Sequence, residues 1–213
     1  MSAIHRPLAD FARLAIEKGN RPISIAGDCC SAIGVLAGLR SAAIDPILIW
    51  FDAHGDFNTW QTTPSGFLGG MPLAMLVGTG EQTMLKALNL KPLSEDRVIL
   101  TDARDLDPGE KLLIEEANII LLTDVRDLLK LTLPDAPLYI HLDMDIVTAE
   151  QAPAMNYPAA GGPSAKELQT VMKHLNRTEK IAAVSVSSWN PKMDEDGLSR
   201  KICMGLLSTL ING

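Results

Sequence analysis

Long apolar runs are missing from this chain. No stretch approaches the roughly 20 residues needed to span a bilayer, and the N-terminus lacks the charged, apolar and cleavage-site order of a secretory signal. A membrane is therefore not expected as a partner, and a cytoplasmic location is the expectation. Cysteine is equally scarce: Cys29 and Cys30 are adjacent and Cys203 is the third, a set that builds no disulfide framework and fits a reducing compartment. Basic residues are in the minority, with 19 Lys and Arg against 26 Asp and Glu and a formal charge of -7, which argues against nucleic acid as a partner. What the chain does have is apolar bulk: 46% of its 213 residues are hydrophobic, enough for one substantial core. One domain over 1–213 is the expectation, since no repeat, linker or low-complexity tract divides the chain.

Strand-type and helix-type patterns alternate. Helices are predicted over 8–16, where Gly19 ends the period, from about Cys30, over 108–117 and 164–175, and from about Gly197. Strands are predicted over 22–26, 46–51, 97–100, 119–122, 137–142 and 181–187. Pro108 follows Asp107 as a first-turn proline follows its cap. Such alternation implies an α/β fold of three layers, with helices on both faces of a mainly parallel central sheet. In sheets of this kind ligands lie beyond the carboxyl ends of the strands. The Gly-, Thr- and Pro-rich stretch leading to Pro72 is too long for a plain connection and is predicted to be functional.

Two acidic segments fall at such strand ends. Asp52-Ala53-His54-Gly55-Asp56 follows the strand 46–51, and Asp143-Met144-Asp145 follows the strand 137–142. Alternate residues of an extended segment point the same way, so Asp52, His54 and Asp56 can converge, as can Asp143 and Asp145. Four carboxylates in one place repel one another and raise their own pKa values unless a cation neutralises them. Two divalent ions would do so, and Mn2+ suits mixed carboxylate and imidazole ligands. One strand-end Asp capping a turn is commonplace, whereas five ligand-type residues together are not. Among the other conspicuous residues, His5 and His174 are expected on helix surfaces, and His141 buried on its strand as hydrogen-bonded support for the site. Cys30 and Cys203 are expected in the core, and Trp60 and Trp189 either at the mouth of the site or in the core.

With these residues the chain resembles the arginase and agmatinase, or ureohydrolase, family, whose members hydrolyse guanidino compounds at a two-manganese centre. The resemblance runs over nearly the whole chain. It is carried by 52–56 with Asn58 and Thr62-Thr63-Pro64-Ser65-Gly66, by Arg104-Asp105-Leu106-Asp107-Pro108-Gly109-Glu110, and by Asp143 and Asp145 followed by Pro153 and Pro158. It implies that Asp52 and Asp143 bridge two Mn2+ ions, that Asp56 binds one of them and that His54 with Asp145 binds the other. The remaining ligand position, a His in the family, is Cys29 here, and a thiolate is softer and biases the site toward Zn2+ or Fe2+. Asp56 is also implied as the catalytic proton carrier. Asn58, Ser65, Asp107 and Glu110 map onto residues that hold the α-carboxylate and α-amino groups in arginine-specific members, which favours a guanidino amino acid as the small-molecule partner.

Gly69 and Ser188 stand where arginases place a His and a Glu near the guanidinium. A fully protonated guanidinium thereby loses a charge-assisted partner typically worth about 1.5–3 kcal/mol, and a less basic head group loses less. N-hydroxyarginine has such a head group, and Ser188 could receive its hydroxyl. The resemblance thus implies an amidinohydrolase closest to one for N-hydroxyarginine, in which hydroxide held between two ions attacks N-hydroxy-L-arginine or L-arginine to give L-ornithine and hydroxyurea or urea. Hydrolysis of agmatine or formiminoglutamate, and a non-catalytic metal-binding role, are the alternatives. The resemblance also implies a segment before the equivalent of Leu8 and a C-terminal tail through which family members partly assemble; neither is matched here, so a monomer or a different homo-oligomer is expected.

Overall fold

The computed structural model describes residues 2–212. In chain order it runs α1 (Ser2–Glu17), β1 (Ile23–Ile25), α2 (Ser31–Ser41), β2 (Ile47–His54), α3 (Pro72–Leu76), α4 (Thr83–Ala87), β3 (Val98–Asp105), α5 (Pro108–Glu116), β4 (Ile120–Leu122), β5 (Leu138–Asp143), α6 (Ala165–Asn176), β6 (Ile181–Ser187) and α7 (Leu198–Asn212). All strand pairings are parallel, in the order β1-β6-β5-β2-β3-β4. From β2 the chain moves one way across the sheet to β3 and β4, and from β5 it moves the other way to β6. The reversal leaves a crevice at the carboxyl ends of β2 and β5, the place where open parallel sheets accept ligands.

Side chains alternate across the central strands and split the core in two. Leu48, Trp50, Leu100 and Tyr139 pack with α2 on one face, whereas Ile49, Phe51, Ile140 and Leu142 pack with α6 and α7 on the other. Because the period is two, Asp52 continues the Leu48 and Trp50 row and Asp143 continues the Tyr139 and His141 row. Both carboxylates therefore stand on the α2 face. Capping boxes start two of the helices: Asp107 with Glu110 on α5, both lining the crevice, and Ser164 with Glu167 on α6.

The three-layer α/β arrangement is as expected, with a sheet that is parallel throughout. Several bounds differ. β2 continues through Asp52 to His54 and β3 continues to Asp105, so the first two acidic-segment ligands lie on a strand rather than after it. Pairing with β3 prolongs it, Asp52 matching Asp102 and His54 matching Asp105, whereas its pairing with β5 ends at Phe51. α1 begins before 8, with Pro7 inside it, and that extension corrects the surface placing of His5. The residue is 2% exposed and its Nε2 lies 2.9 Å from the Cys30 carbonyl oxygen. His174 is half-buried. Cys30 and Cys203 are core residues as expected.

Candidate metal centre

The crevice opens into a cleft of about 860 Å³ whose lining includes Cys29, Asp52, His54, Asp56, Asp143 and Asp145. All six residues expected to bind metal are thus brought together. Asp52 and His54 come from the end of β2, Asp143 from the end of β5, Asp145 from the turn Met144–Ile146 after it, and Cys29 from the segment entering α2. The four carboxylates are between 1% and 5% exposed. Three overlapping groups have all their ligand atoms within 4.8 Å of one another: Cys29, His141 and Asp143; Cys29, Asp52 and Asp56; and Asp52, His54 and Asp145.

Backbone and core groups fix most of these side chains. Asp52 Oδ1 accepts from the His54 N–H at 2.7 Å and its Oδ2 from the Trp50 indole N–H at 3.0 Å. Asp143 Oδ1 accepts from the Asp145 N–H at 2.9 Å, while its Oδ2 receives the Ser187 hydroxyl at 2.9 Å, the Ser188 hydroxyl and the Cys29 thiol at 2.7 Å. Asp145 Oδ1 accepts from the Ala53 N–H at 3.2 Å, and its Oδ2 lies 3.0 Å from His54 Nδ1. Asp56 is the exception. It sits at φ +50°, and its buried Oδ2 has no hydrogen-bond partner among the described residues.

The charges are ill at ease. Burial, reinforced by Asp145, pushes the Asp143 carboxyl up to about 7, and burial with the Asp52 charge pushes Asp145 up to about 6. Burial, then the Asp143 charge, raises Asp52; burial, then Asp52 and Asp143, raises Asp56 well above the usual carboxylate range. For His54 burial alone would lower the pKa, but hydrogen bonds to Asp145 and Asp52 outweigh it and raise the group to about 12. Burial and the neighbouring carboxylates push the Cys29 thiol well up. One imidazolium cannot neutralise four carboxylates. An orphaned buried carboxylate oxygen, clustered oxygen donors and a nearby imidazole together fit hard divalent cations, with Cys29 adding one soft donor.

Above this floor stands a wall. Asn58 Nδ2 donates to Asp107 Oδ2 at 2.9 Å, and Thr62 Oγ1 donates to Asn58 Oδ1 at 2.9 Å. Asn58, Asp107 and Ser65 all line the cleft, the last as an exposed residue whose hydroxyl accepts from the Phe67 N–H at 3.2 Å. Glu110 lines it too, but both of its oxygens accept backbone N–H groups, of Phe57 at 2.8 Å and Asp107 at 3.2 Å. Burial raises its carboxyl to about 6. Floor and wall meet at Gly55, where a Cβ would lie 2.6 Å from Glu110 Oε1. Arg104 ties β3 to the loop after β5 through the carbonyls of Asp145 at 3.0 Å and Ala160 at 2.9 Å.

Ser188 lines the cleft at φ +66° and turns its hydroxyl onto Asp143. A Cβ on Gly69 would lie 2.4 Å from the Phe67 ring and 2.9 Å from Asp28 Oδ2, so those two side chains occupy the room that a longer residue at 69 would need. Phe67 and Tyr157 form an aromatic pair at the rim, ring centroids 5.1 Å apart. Sequence reasoning missed both, and only the local GFLGG pattern around Phe67 offered a signal. Neither Trp60 nor Trp189 lines the cleft, but Trp189 packs against the core on the α6 and α7 face. Trp60 is exposed and donates to Glu81 at 3.0 Å, and half-buried Trp189 donates to Asp194 at 2.9 Å. Their indole N–H groups draw both rings toward surface carboxylates.

Comparison with known proteins agrees with this geometry. The family model described as "Arginase family" matches residues 1–211. The arginase of Bacillus subtilis is 30% identical over 216 residues, spanning 96% of this chain and 73% of its own, and that of Bacillus caldovelox is 31% identical, spanning 95% and 72%. The solved structure of Bacillus caldovelox arginase superposes with a TM-score of 0.90 at 28% identity, covering 100% of this chain and 75% of that one. Entamoeba histolytica arginase, solved in complex with L-ornithine, gives 0.85 at 25% identity with 100% and 76% covered. A sheet that is parallel throughout, an acidic crevice at its reversal point and a match over almost the entire length place the chain in the arginase family.

Proposed function

We propose that the chain is a binuclear-metal amidinohydrolase that cleaves the guanidino group of N-hydroxy-L-arginine, and less readily L-arginine, to L-ornithine and hydroxyurea or urea. The observation that carries the reading is the convergence of Asp52, Asp56, Asp143, Asp145 and His54 on one cleft floor with an unpartnered Asp56 oxygen. In this reading Asp52, Asp56, Asp143, Asp145, His54 and Cys29 would together hold two Mn2+ ions. When bound, such ions make water acidic enough to lose a proton near neutral pH.

The chain's own residues do the rest. Asp56, whose Oδ2 has no hydrogen-bond partner among the described residues, takes the proton of the attacking water and passes it to the departing nitrogen, so that ornithine leaves as a neutral amine before it is reprotonated by solvent. Asp107 holds the substrate's α-ammonium, and Asn58 and Ser65 its α-carboxylate. Glu110 keeps the wall in register by gripping the N–H groups of Phe57 and Asp107. Burial of the floor excludes bulk water and strengthens each of these contacts.

The preference for the N-hydroxy substrate rests on Ser188. Its hydroxyl, engaged with Asp143, offers no negative charge to a guanidinium, and a less basic head group needs none. The test is hydrolysis of both substrates by metal-free protein reconstituted with Mn2+, with ornithine detected colorimetrically and metal measured on the same sample. The expected result is turnover of both, faster for N-hydroxyarginine, with two ions per chain. A much higher kcat/KM for arginine would sink the preference. Bound metal without turnover of either would move the reading to another guanidino or formimino compound.

A further inference from the structure

Beneath the two carboxylates at the head of the site lies a layer of side chains that the reaction itself does not use. Trp50 and His141 are register partners on β2 and β5, and their rings stack with centroids 3.8 Å apart and planes 28° from parallel. Each stands two residues before a carboxylate, and on a strand that places it directly below on the same face. Trp50 donates straight to Asp52 Oδ2. His141 is connected to Asp143 through Ser187, whose Oγ lies 3.2 Å from His141 Nε2 and 2.9 Å from Asp143 Oδ2. On its other side His141 Nδ1 lies 2.7 Å from Ser185 Oγ, which lies 2.7 Å from the Tyr139 hydroxyl. All four of Tyr139, His141, Ser185 and Ser187 are fully buried.

Counting protons fixes the direction of this chain. An ionised Asp143 only accepts, so the single Ser187 proton goes to it. The contact between Ser187 and His141 therefore needs a proton on Nε2. Both ring nitrogens hydrogen-bond serine hydroxyls, whereas the Asp143 carboxylate lies within 4.8 Å without a hydrogen bond to the ring, and the ring is fully buried, so it carries one proton only. Nδ1 is then an acceptor and takes the Ser185 proton, which leaves Tyr139 to donate to Ser185. The chain from Tyr139 through Ser185, His141 and Ser187 then points toward Asp143, with the Ala32 carbonyl oxygen, 3.3 Å from the Tyr139 hydroxyl, as that proton's other acceptor.

We propose that His141 is a positioning residue of the metal centre: held as the neutral Nε2–H tautomer by Ser185 and by stacking on Trp50, it fixes the Ser187 hydroxyl and through it the Oδ2 oxygen of Asp143. The proposal rests on the metal-binding reading above. It places His141 in the role that a carboxylate or carbonyl commonly plays behind a metal ligand, where loss typically costs 10–100-fold in metal affinity.

Two measurements test it on the full chain. In ¹⁵N-labelled protein the His141 ring, identified by its disappearance in His141→Gln, is expected to carry its proton on Nε2, with Nδ1 a bare acceptor; a proton on Nδ1 overturns the proposal. In titrations with Mn2+ alone, His141→Phe keeps a ring against Trp50 but no donor and is expected to bind roughly 10–100-fold more weakly. His141→Gln, whose amide can still donate to Ser187, is expected to recover most of that loss. Equal affinity of wild type and His141→Phe, or equal weakness of both variants, overturns the positioning role. Wild-type protein that takes up no Mn2+ at all overturns instead the reading of the site as a metal centre, and the two failures are told apart by that one titration.

Discussion

At the floor of the cleft Asp52, Asp56, Asp143 and Asp145 are between 1% and 5% exposed and crowd together beside the His54 and His141 imidazoles. On the wall a few ångströms of chain away, Asn58 meets Asp107 and Thr62, while Glu110 meets two backbone N–H groups. The wall satisfies itself. Among the described residues the floor holds more carboxyls than cationic partners for them, and strand pairing and two apolar cores hold β2 and β5 together against that crowding. Cations and pH should therefore act on the floor, and substrate chemistry on the wall.

The largest effect expected from that contrast is on stability. An ion that binds the folded chain at about a thousand times its Kd stabilises it by about 4 kcal/mol, and for a chain of this size each kcal/mol raises Tm by roughly 2–4 °C. Thermal unfolding with Mn2+ and with chelator should differ accordingly. Asp143→Asn should reverse the order. It removes one of the crowded charges, so the metal-free variant should be at least as stable as metal-free wild type at pH 7 while gaining little from Mn2+. If the variant gains as much as wild type, the floor is not the binding site.

A smaller effect of opposite signs is expected from pH. With the Asp143 carboxyl raised to about 7 and Asp145 to about 6, against 3.8 ordinarily, the metal-free folded chain keeps protons that the unfolded chain has already lost. The stability they confer is complete below about pH 4 and is lost as pH rises through 6 to 7. His54, raised to about 12, adds a decline in the same direction above its ordinary 6.5. The lowered carboxyls of half-buried Glu81 and Asp124, both down to about 2, oppose this trend as pH falls below about 4. Mn2+ must displace the same protons, so its affinity and the stability it confers should rise over that window. Melting curves from pH 4.5 to 8 with and without Mn2+ should cross or converge; parallel curves would show that the floor is not what titrates.

The same contrast explains what could be read from the sequence. Floor residues were legible because their positions obey a period of two after apolar strands: Asp52, His54, Asp143 and Asp145 announce themselves once the strands are recognised. The order of the elements and the parallel sheet follow from the alternation of patterns. Less was visible where the outcome depends on contacts distant in sequence. β2 and β3 run on past their apolar cores because they continue to pair with each other. His5 is buried because α1 packs along α2, and Trp60 turns outward toward Glu81. The engagement of Glu110 with the backbone was half-visible, since Asp107 and Glu110 have capping-box spacing, but its grip on Phe57 spans 53 residues of sequence.

The wall offers the most selective perturbation. Asp107→Asn keeps an oxygen to accept from Asn58 and a side chain able to cap α5, so folding stability should move by no more than about 0.5 kcal/mol. What disappears is the negative charge proposed to hold the α-ammonium. A charge-assisted hydrogen bond is worth about 1.5–3 kcal/mol, which corresponds to roughly a 10–100-fold fall in kcat/KM for N-hydroxyarginine. Affinity for Mn2+ should stay at the wild-type value, because Asp107 belongs to the wall network rather than the floor. Substrates lacking the α-amino acid end should respond little, and comparing agmatine with N-hydroxyarginine on the same variant separates recognition from chemistry. A parallel loss on both would mean that Asp107 shapes the site as a whole. A loss confined to the amino acid would assign the substrate's anchoring end to the wall and leave its cleavage to the floor.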